Sequence, residues 1–182
     1  MQRLAVSTAA NLCRHLPVEC AHLVADAKDV APYIQDLLPI IKTSILDPSP
    51  EMRATAAQAL GSLVKSMAEA DYAELEQYLL VTIKSDANQV ERAGAALGMA
   101  EVLGNSSVER FENVIDEVLL QCSARLPYVR EGYFGLLSNL PAAMGEALET
   151  YIPKLLPVML QGLSDAERDA RKRQLRRLRV SS

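Results

Sequence analysis

Apolar residues recur along this chain at the three-and-four spacing of one helix face, broken by short polar turns at intervals near forty residues. The clearest unit is 34–67. Ile34, Leu37, Leu38, Ile41 and Ile45 form one stripe, and Met52, Ala56, Ala59, Leu60, Leu63, Val64 and Met67 form another. Asp47-Pro48 stops the first helix. Ser49 caps the second, with Pro50 in its first turn and Glu51 near its positive end. A second unit begins at an Asp71/Glu74 capping box. Its stripes are Leu75, Leu79 and Ile83, then Ala93, Ala96, Leu97, Ala100 and Leu103, with Gly104-Asn105 as the stop. A third carries Phe111, Val114, Ile115, Val118, Leu119 and Cys122, then Val129, Tyr133, Leu136, Leu137 and Leu140, closed by Pro141. A fourth opens with Ile152, Leu155, Leu156, Met159 and Leu163.

The turns share a charge pattern. Asp47 precedes Arg53 by six residues, Asp86 precedes Arg92 by six, and Asp165 precedes Arg171 by six; Arg130 has Ala124 at the aspartate position. Successive arginines are 39, 38 and 41 residues apart. A helix pair per period of about forty residues predicts an all-α helical-repeat solenoid of the HEAT/armadillo type. Pro39 and Pro157, each eight residues before its aspartate, fit a bent first helix. The expected organisation is a solenoid over 1–165, with a partial repeat at 1–25, full repeats near 30–68, 71–104 and 108–144, and the first helix of another at 149–164. Residues 166–182 form a basic tail. The Asp/Arg pairs are expected to be structural, each carboxylate bonding an arginine of its own or the neighbouring repeat, because their period is that of the fold.

Composition narrows the class. Of 182 residues, 49% are hydrophobic but only 4% aromatic, which suits closely stacked helices rich in alanine and leucine. No apolar run reaches the roughly 18 residues of a membrane span, and no signal peptide opens at Met1. Three cysteines point to free thiols in a reducing compartment, so the expectation is a cytoplasmic protein. The net charge of −4 conceals an asymmetry. Residues 166–182 hold seven basic groups against two acidic ones, leaving −9 for the first 165.

Candidate chemistry is sparse. Cys13, His15, Cys20 and His22 are competent zinc ligands, but their spacing is not that of a common finger and Pro17 divides them. They read as incidental residues at a helix end, and no metal or cofactor is expected. Cys122 lies in an apolar stripe and reads as core. Arg171, Lys172, Arg173, Arg176, Arg177 and Arg179 are the candidate phosphate contacts. With no aromatic among them to stack on bases, any RNA contact would be non-specific. Phosphate-loop, H-E-x-x-H and G-x-S-x-G signatures are all missing, and the chain reads as a non-enzyme.

The segments KDVAPYIQDLLPIIKTSILDPSPEMRATAAQALGSLVKSM, SDANQVERAGAALGMAEVL, YVREGYFGLLSNLP and YIPKLLPVMLQGLSD resemble successive repeats of the large HEAT-repeat translational activators of the general amino-acid control pathway. The similarity runs from about Asp26 to Asp165, in the part of those proteins akin to fungal elongation factor three. It implies a scaffold that works with translating ribosomes, an ATP-binding-cassette partner and the starvation kinase that phosphorylates initiation factor two alpha. No segment here resembles the kinase-docking region, so no kinase-binding residue is implied. The family continues past Asp165 with an ordinary helix where this chain has ERDARKRQLRRLRVSS. That departure, with the half-repeat at Met1, leads to the expectation of a gene fragment, a splice product or a misread frame.

Overall fold

The computed structural model describes residues 34–164, apart from 66, 68 and 87. The expected partial repeat at 1–25, the four Cys/His residues near it, and the tail at 166–182 lie outside the described residues. Helices follow one another in pairs: α1 (Ile34–Ile45) with α2 (Pro50–Val64), α3 (Glu69–Ile83) with α4 (Gln89–Gly104), and α5 (Val108–Gln121) with α6 (Pro127–Met144). A 3-10 turn, Gly145–Tyr151, leads to a last helix, α7, over 152–164. No strand occurs among the described residues. The fold is a helical-repeat solenoid.

Local chemistry sets the helix starts. The Ser49 hydroxyl accepts from the Met52 N–H, the Asn88 side chain from Val90, and the Ser107 hydroxyl from Arg110. α6 has no side-chain cap and begins instead with Pro127 in its first turn, where the missing N–H costs nothing. Two boundaries differ from the sequence expectation. α3 starts at Glu69, so Asp71 lies inside the helix, and Tyr72 joins Leu75, Leu79 and Ile83 in the core. α6 continues through Pro141 to Met144, because the Pro141 carbonyl still accepts the N–H of Gly145. Gly145, with φ 55°, then ends the helix in a conformation that glycine tolerates best.

The first helices of the pairs each bury one stripe: Ile34, Leu38, Ile41 and Ile45 in α1; Tyr72, Leu75, Leu79 and Ile83 in α3; Phe111, Ile115, Val118 and Cys122 in α5. The second helices, α2, α4 and α6, make the most extensive contacts, with α4 between the other two. α4 is therefore buried on several sides. Gly94, Ala95, Ala96, Gly98, Met99, Ala100, Val102 and Leu103 are all buried, while Ala93 is exposed and Leu97 only half-buried, which shifts the expected stripe. In α7 only Leu155 of the expected stripe is buried; Ile152, Leu156 and Leu163 are exposed. This helix leans on α6 where Gly162 meets the Phe134 ring, and among the described residues nothing covers its outer face.

Small residues in α4 and α6 let main chains meet. A Cβ on Gly94 would overlap the carbonyl oxygen of Ile45, the last residue of α1, and a Cβ on Gly132 would lie 2.6 Å from the carbonyl oxygen of Ile83, the last residue of α3. Both glycines stand two residues after a repeat arginine. Each second helix thus seats on the end of the preceding repeat's first helix.

Gly135, three residues beyond Gly132 in the same helix, has only the Ala96 methyl at 3.6 Å from an added Cβ. G132A is therefore expected to lose about 1–3 kcal/mol to overpacking. G135A is expected to gain up to about 1 kcal/mol from helix propensity and unfolded-state entropy. Urea unfolding of the two variants should give midpoints displaced in opposite directions.

Candidate functional site

The repeat arginines form bonds different from those their charge pattern suggests. Arg53 Nη1 donates to the main-chain oxygens of Asp47 and Pro48, both at 2.8 Å. Arg130 Nη1 makes the corresponding bonds to Ala124, at 2.9 Å, and Arg125, at 3.1 Å. Arg92 Nη1 donates to the Ser85 oxygen at 3.3 Å, and its Nη2 pairs with Glu131 of the next repeat at 3.2 Å. The expected carboxylate partners do not serve: no ion pair joins Asp47 to Arg53 or Asp86 to Arg92. The Asp47 carboxylate instead accepts the Ser49 N–H at 2.7 Å, closing the turn locally.

The reason lies in helix termini. The last carbonyls of a first helix and the turn after it lack intrahelical donors, and a guanidinium presents several N–H groups in a fixed fork. Any residue supplies a carbonyl, so Ala124 fills the aspartate position without loss of the arginine's bonds. Asp165 and Arg171 of the proposed ladder lie outside the described residues. So do Lys172, Arg173, Arg176, Arg177 and Arg179 of the basic tail.

Neighbouring repeats are joined by a second set of polar contacts absent from the sequence reading. Lys42 Nζ of α1 meets Glu74 of α3 at 3.0 Å, Lys84 at the end of α3 meets Glu117 of α5 at 3.0 Å, and Lys154 of α7 pairs with Asp116 of α5. Lys42 also stands 5.0 Å from the Tyr78 ring centre, and Arg110 lies 4.1 Å over Tyr72. Phe111 and Tyr151 tilt against each other at 4.6 Å. Burial alone would lower the Lys84 ammonium, but its hydrogen bond to Glu117 and the adjacent Tyr133 outweigh that and raise it. Burial, and then the Glu117 charge, raise the Glu76 carboxyl. These charges bind one repeat to the next and converge on no reacting centre.

Among the described residues no group of three or more His, Cys, Asp or Glu side chains is placed to hold a metal. A shallow groove along α3 is lined by Ala73, Glu76, Gln77, Leu80, Val81 and Lys84. Cys122 is buried, and burial pushes its thiol up to about 12. No helix of the described residues is long and apolar enough to cross a membrane.

Two measurements follow from this geometry. R130K is expected to destabilise the chain by roughly 1.5–3 kcal/mol, since a lysine lacks the fork that spans two carbonyls. A124D should cost less than R130K, because that side chain, though half-buried against the core, carries none of the bond; paired urea titrations test both. Cys122 is expected to resist alkylation near pH 8 until denaturant is added, as its thiol is protonated and enclosed. Mass-resolved labelling that found Cys122 modified in the folded chain would contradict this.

Comparison with known proteins agrees with this architecture. The family model described as dynein axonemal assembly factor 5-like, TPR repeats, matches residues 2–178. The arginine spacing of 38 to 41 residues exceeds the roughly 34 of a tetratricopeptide repeat and suits a HEAT-type unit. The chain is 39% identical over 165 residues, 91% of its length, to the eIF-2-alpha kinase activator GCN1 of Dictyostelium discoideum. It is 40% identical over 149 residues, 82% of its length, to Protein ILITYHIA of Arabidopsis thaliana, and 36% over 155 residues, 84% of its length, to the human Stalled ribosome sensor GCN1. It spans about 6% of the length of each of these relatives. The chain belongs to the dynein axonemal assembly factor 5-like family of helical-repeat proteins and is homologous along most of its length to a short stretch of these kinase activators and ribosome sensors.

Proposed function

We propose that the chain is a non-catalytic scaffold in the regulation of translation, holding a helical-repeat surface against ribosomes or ribosome-bound factors in the cytoplasm. The observation that carries the reading is the 39% identity over 91% of the chain to an eIF-2-alpha kinase activator. The relatives' names describe an activator and a sensor, which supports a scaffold over a catalyst. A solenoid acts by geometry: stacked helix pairs keep distant surface residues in fixed relation, so that partners on different repeats are held together.

Charge divides the work. The first 165 residues sum to −9 and repel phosphate, so the repeat surface favours protein partners. Candidate partners are ribosomal proteins or ribosome-bound factors such as an ATP-binding-cassette protein and the starvation kinase. Direct RNA contact falls to Arg171, Lys172, Arg173, Arg176, Arg177 and Arg179, and is non-specific. The family description, which names a dynein axonemal assembly factor, favours a second reading: a protein-protein adaptor in transport or cytoskeletal assembly, without ribosomes.

Co-sedimentation of the full chain with purified ribosomes across a salt series separates these readings. The control variant carries R171Q, K172Q, R173Q, R176Q, R177Q and R179Q. Binding retained by both proteins at moderate salt is the expected result. Contact through six tail cations alone would weaken on the order of a thousandfold between about 50 and 200 mM salt and vanish in the variant. Absence of binding by either protein would favour the adaptor.

A further inference from the structure

We propose that this solenoid flexes along the face formed by its first helices, pivoting on the glycine seats of its second helices, with a lysine–carboxylate pair closing each junction. The two faces are built differently. Among α2, α4 and α6 contact is extensive, and next to it Gly94 and Gly132 bring main chain against the Ile45 and Ile83 carbonyls. Sliding there would drive a carbonyl oxygen into a helix backbone, so those joints can rotate but resist translation. Between α1 and α3, and between α3 and α5, close main-chain approach is scarce.

Beside the shared apolar core, where Ile45 and Leu79 both border Gly98, the first-helix face is spanned by ion pairs. Among the described residues, Lys42–Glu74, Lys84–Glu117 and Lys154–Asp116 provide a lysine–carboxylate pair at each junction. Their carboxylates are 74%, 52% and 70% exposed, so salt screens them and each pair contributes little to stability. Two of the lysines have an aromatic alternative: Lys42 over Tyr78 at 5.0 Å and Lys84 near Tyr133 at 5.9 Å. A lysine released by its carboxylate therefore keeps a partner on the next repeat, and the junction loosens without unfolding. The α3/α5 junction also holds Arg110 over Tyr72, which makes it the stiffer of the first two. Loss of lysine charge, by acetylation or substitution, opens the face as high salt does.

The test is an electron-electron distance in the full 182-residue chain. Nitroxides are attached at Thr43→Cys in α1 and Leu120→Cys in α5, both exposed, in a background of Cys13→Ser and Cys20→Ser; Cys122, buried, is left in place. Raising salt from about 0.1 to 1 M is expected to lengthen the distance on the order of 2 Å, the scale of helix shifts at bistable interfaces. The variant K42Q/K84Q should show the long distance at both salts, and the swapped pairs K42E/E74K with K84E/E117K should restore the short one at low salt. Two results would overturn the proposal, provided circular dichroism shows the helices intact. One is a distance indifferent to salt and to K42Q/K84Q. The other is a salt response undiminished in that variant.

Discussion

The repeat stack depends on main chain meeting main chain. An α-helix ends with carbonyls that no N–H of its own can reach, and burying them unanswered is costly. Here the ends of α1 and α3 lie under the backbones of α4 and α6, where Gly94 and Gly132 remove the side chain that would hold the helices apart. The adjoining turn carbonyls are met by Arg53, Arg92 and Arg130. In the second and third described repeats, an arginine and the glycine two residues later thus solve one problem from two sides. The arginine binds the turn of its own repeat, and the glycine admits the end of the repeat before.

That constraint explains the composition of the second helices. A helix buried against neighbours on several sides has no room for a wide leucine face, so α4 is packed with Gly94, Ala95, Ala96, Gly98 and Ala100. The low aromatic content follows from the same spacing. Some of the rings serve between repeats, as with Tyr72 under Arg110 and Tyr151 against Phe111. Glycine weakens a helix considered alone, by about 1 kcal/mol relative to alanine. At Gly132 the alternative is an overlap with a carbonyl, and packing outweighs propensity.

Legibility in the sequence tracked how much each interaction depends on side-chain identity. The single-faced stripes of α1 and α5 were readable because one face is core and the other solvent, as was the cap at Ser49. The register of Arg53, Arg92 and Arg130 was readable too. Their partners were not, because a main-chain carbonyl leaves no trace in the residue that carries it, and a nearby aspartate is the visible substitute. Ala124 was the clue: an arginine that keeps its position without an aspartate is not bonding one. Pro141 reads as a helix stop, so the continuation of α6 was missed; of the α4 stripe, Ala96, Ala100 and Leu103 are buried as expected, but Ala93 is exposed and Leu97 half-buried. Periodicity describes a helix with one buried side, and tertiary contacts on several sides erase it. The lysine–carboxylate pairs join residues 32 and 33 positions apart, beyond the reach of any local pattern.

Function in such a chain is a property of surface and spacing. The polar groups that the fold brings together are consumed in holding repeats to one another: Arg92 by Ser85 and Glu131, Lys84 by Glu117, Lys42 by Glu74. What remains for partners is a stretch of 165 residues with a net charge of −9, followed in sequence by a short block of seven basic residues. A polyanion meets attraction only at the block, whereas a basic protein surface meets it along the repeats. Under the proposed function, the two parts of this charge distribution would select different chemistry on one assembly of protein and RNA. Under the proposed scaffold reading, the solenoid's spacing would set the relation between protein and nucleic-acid contacts.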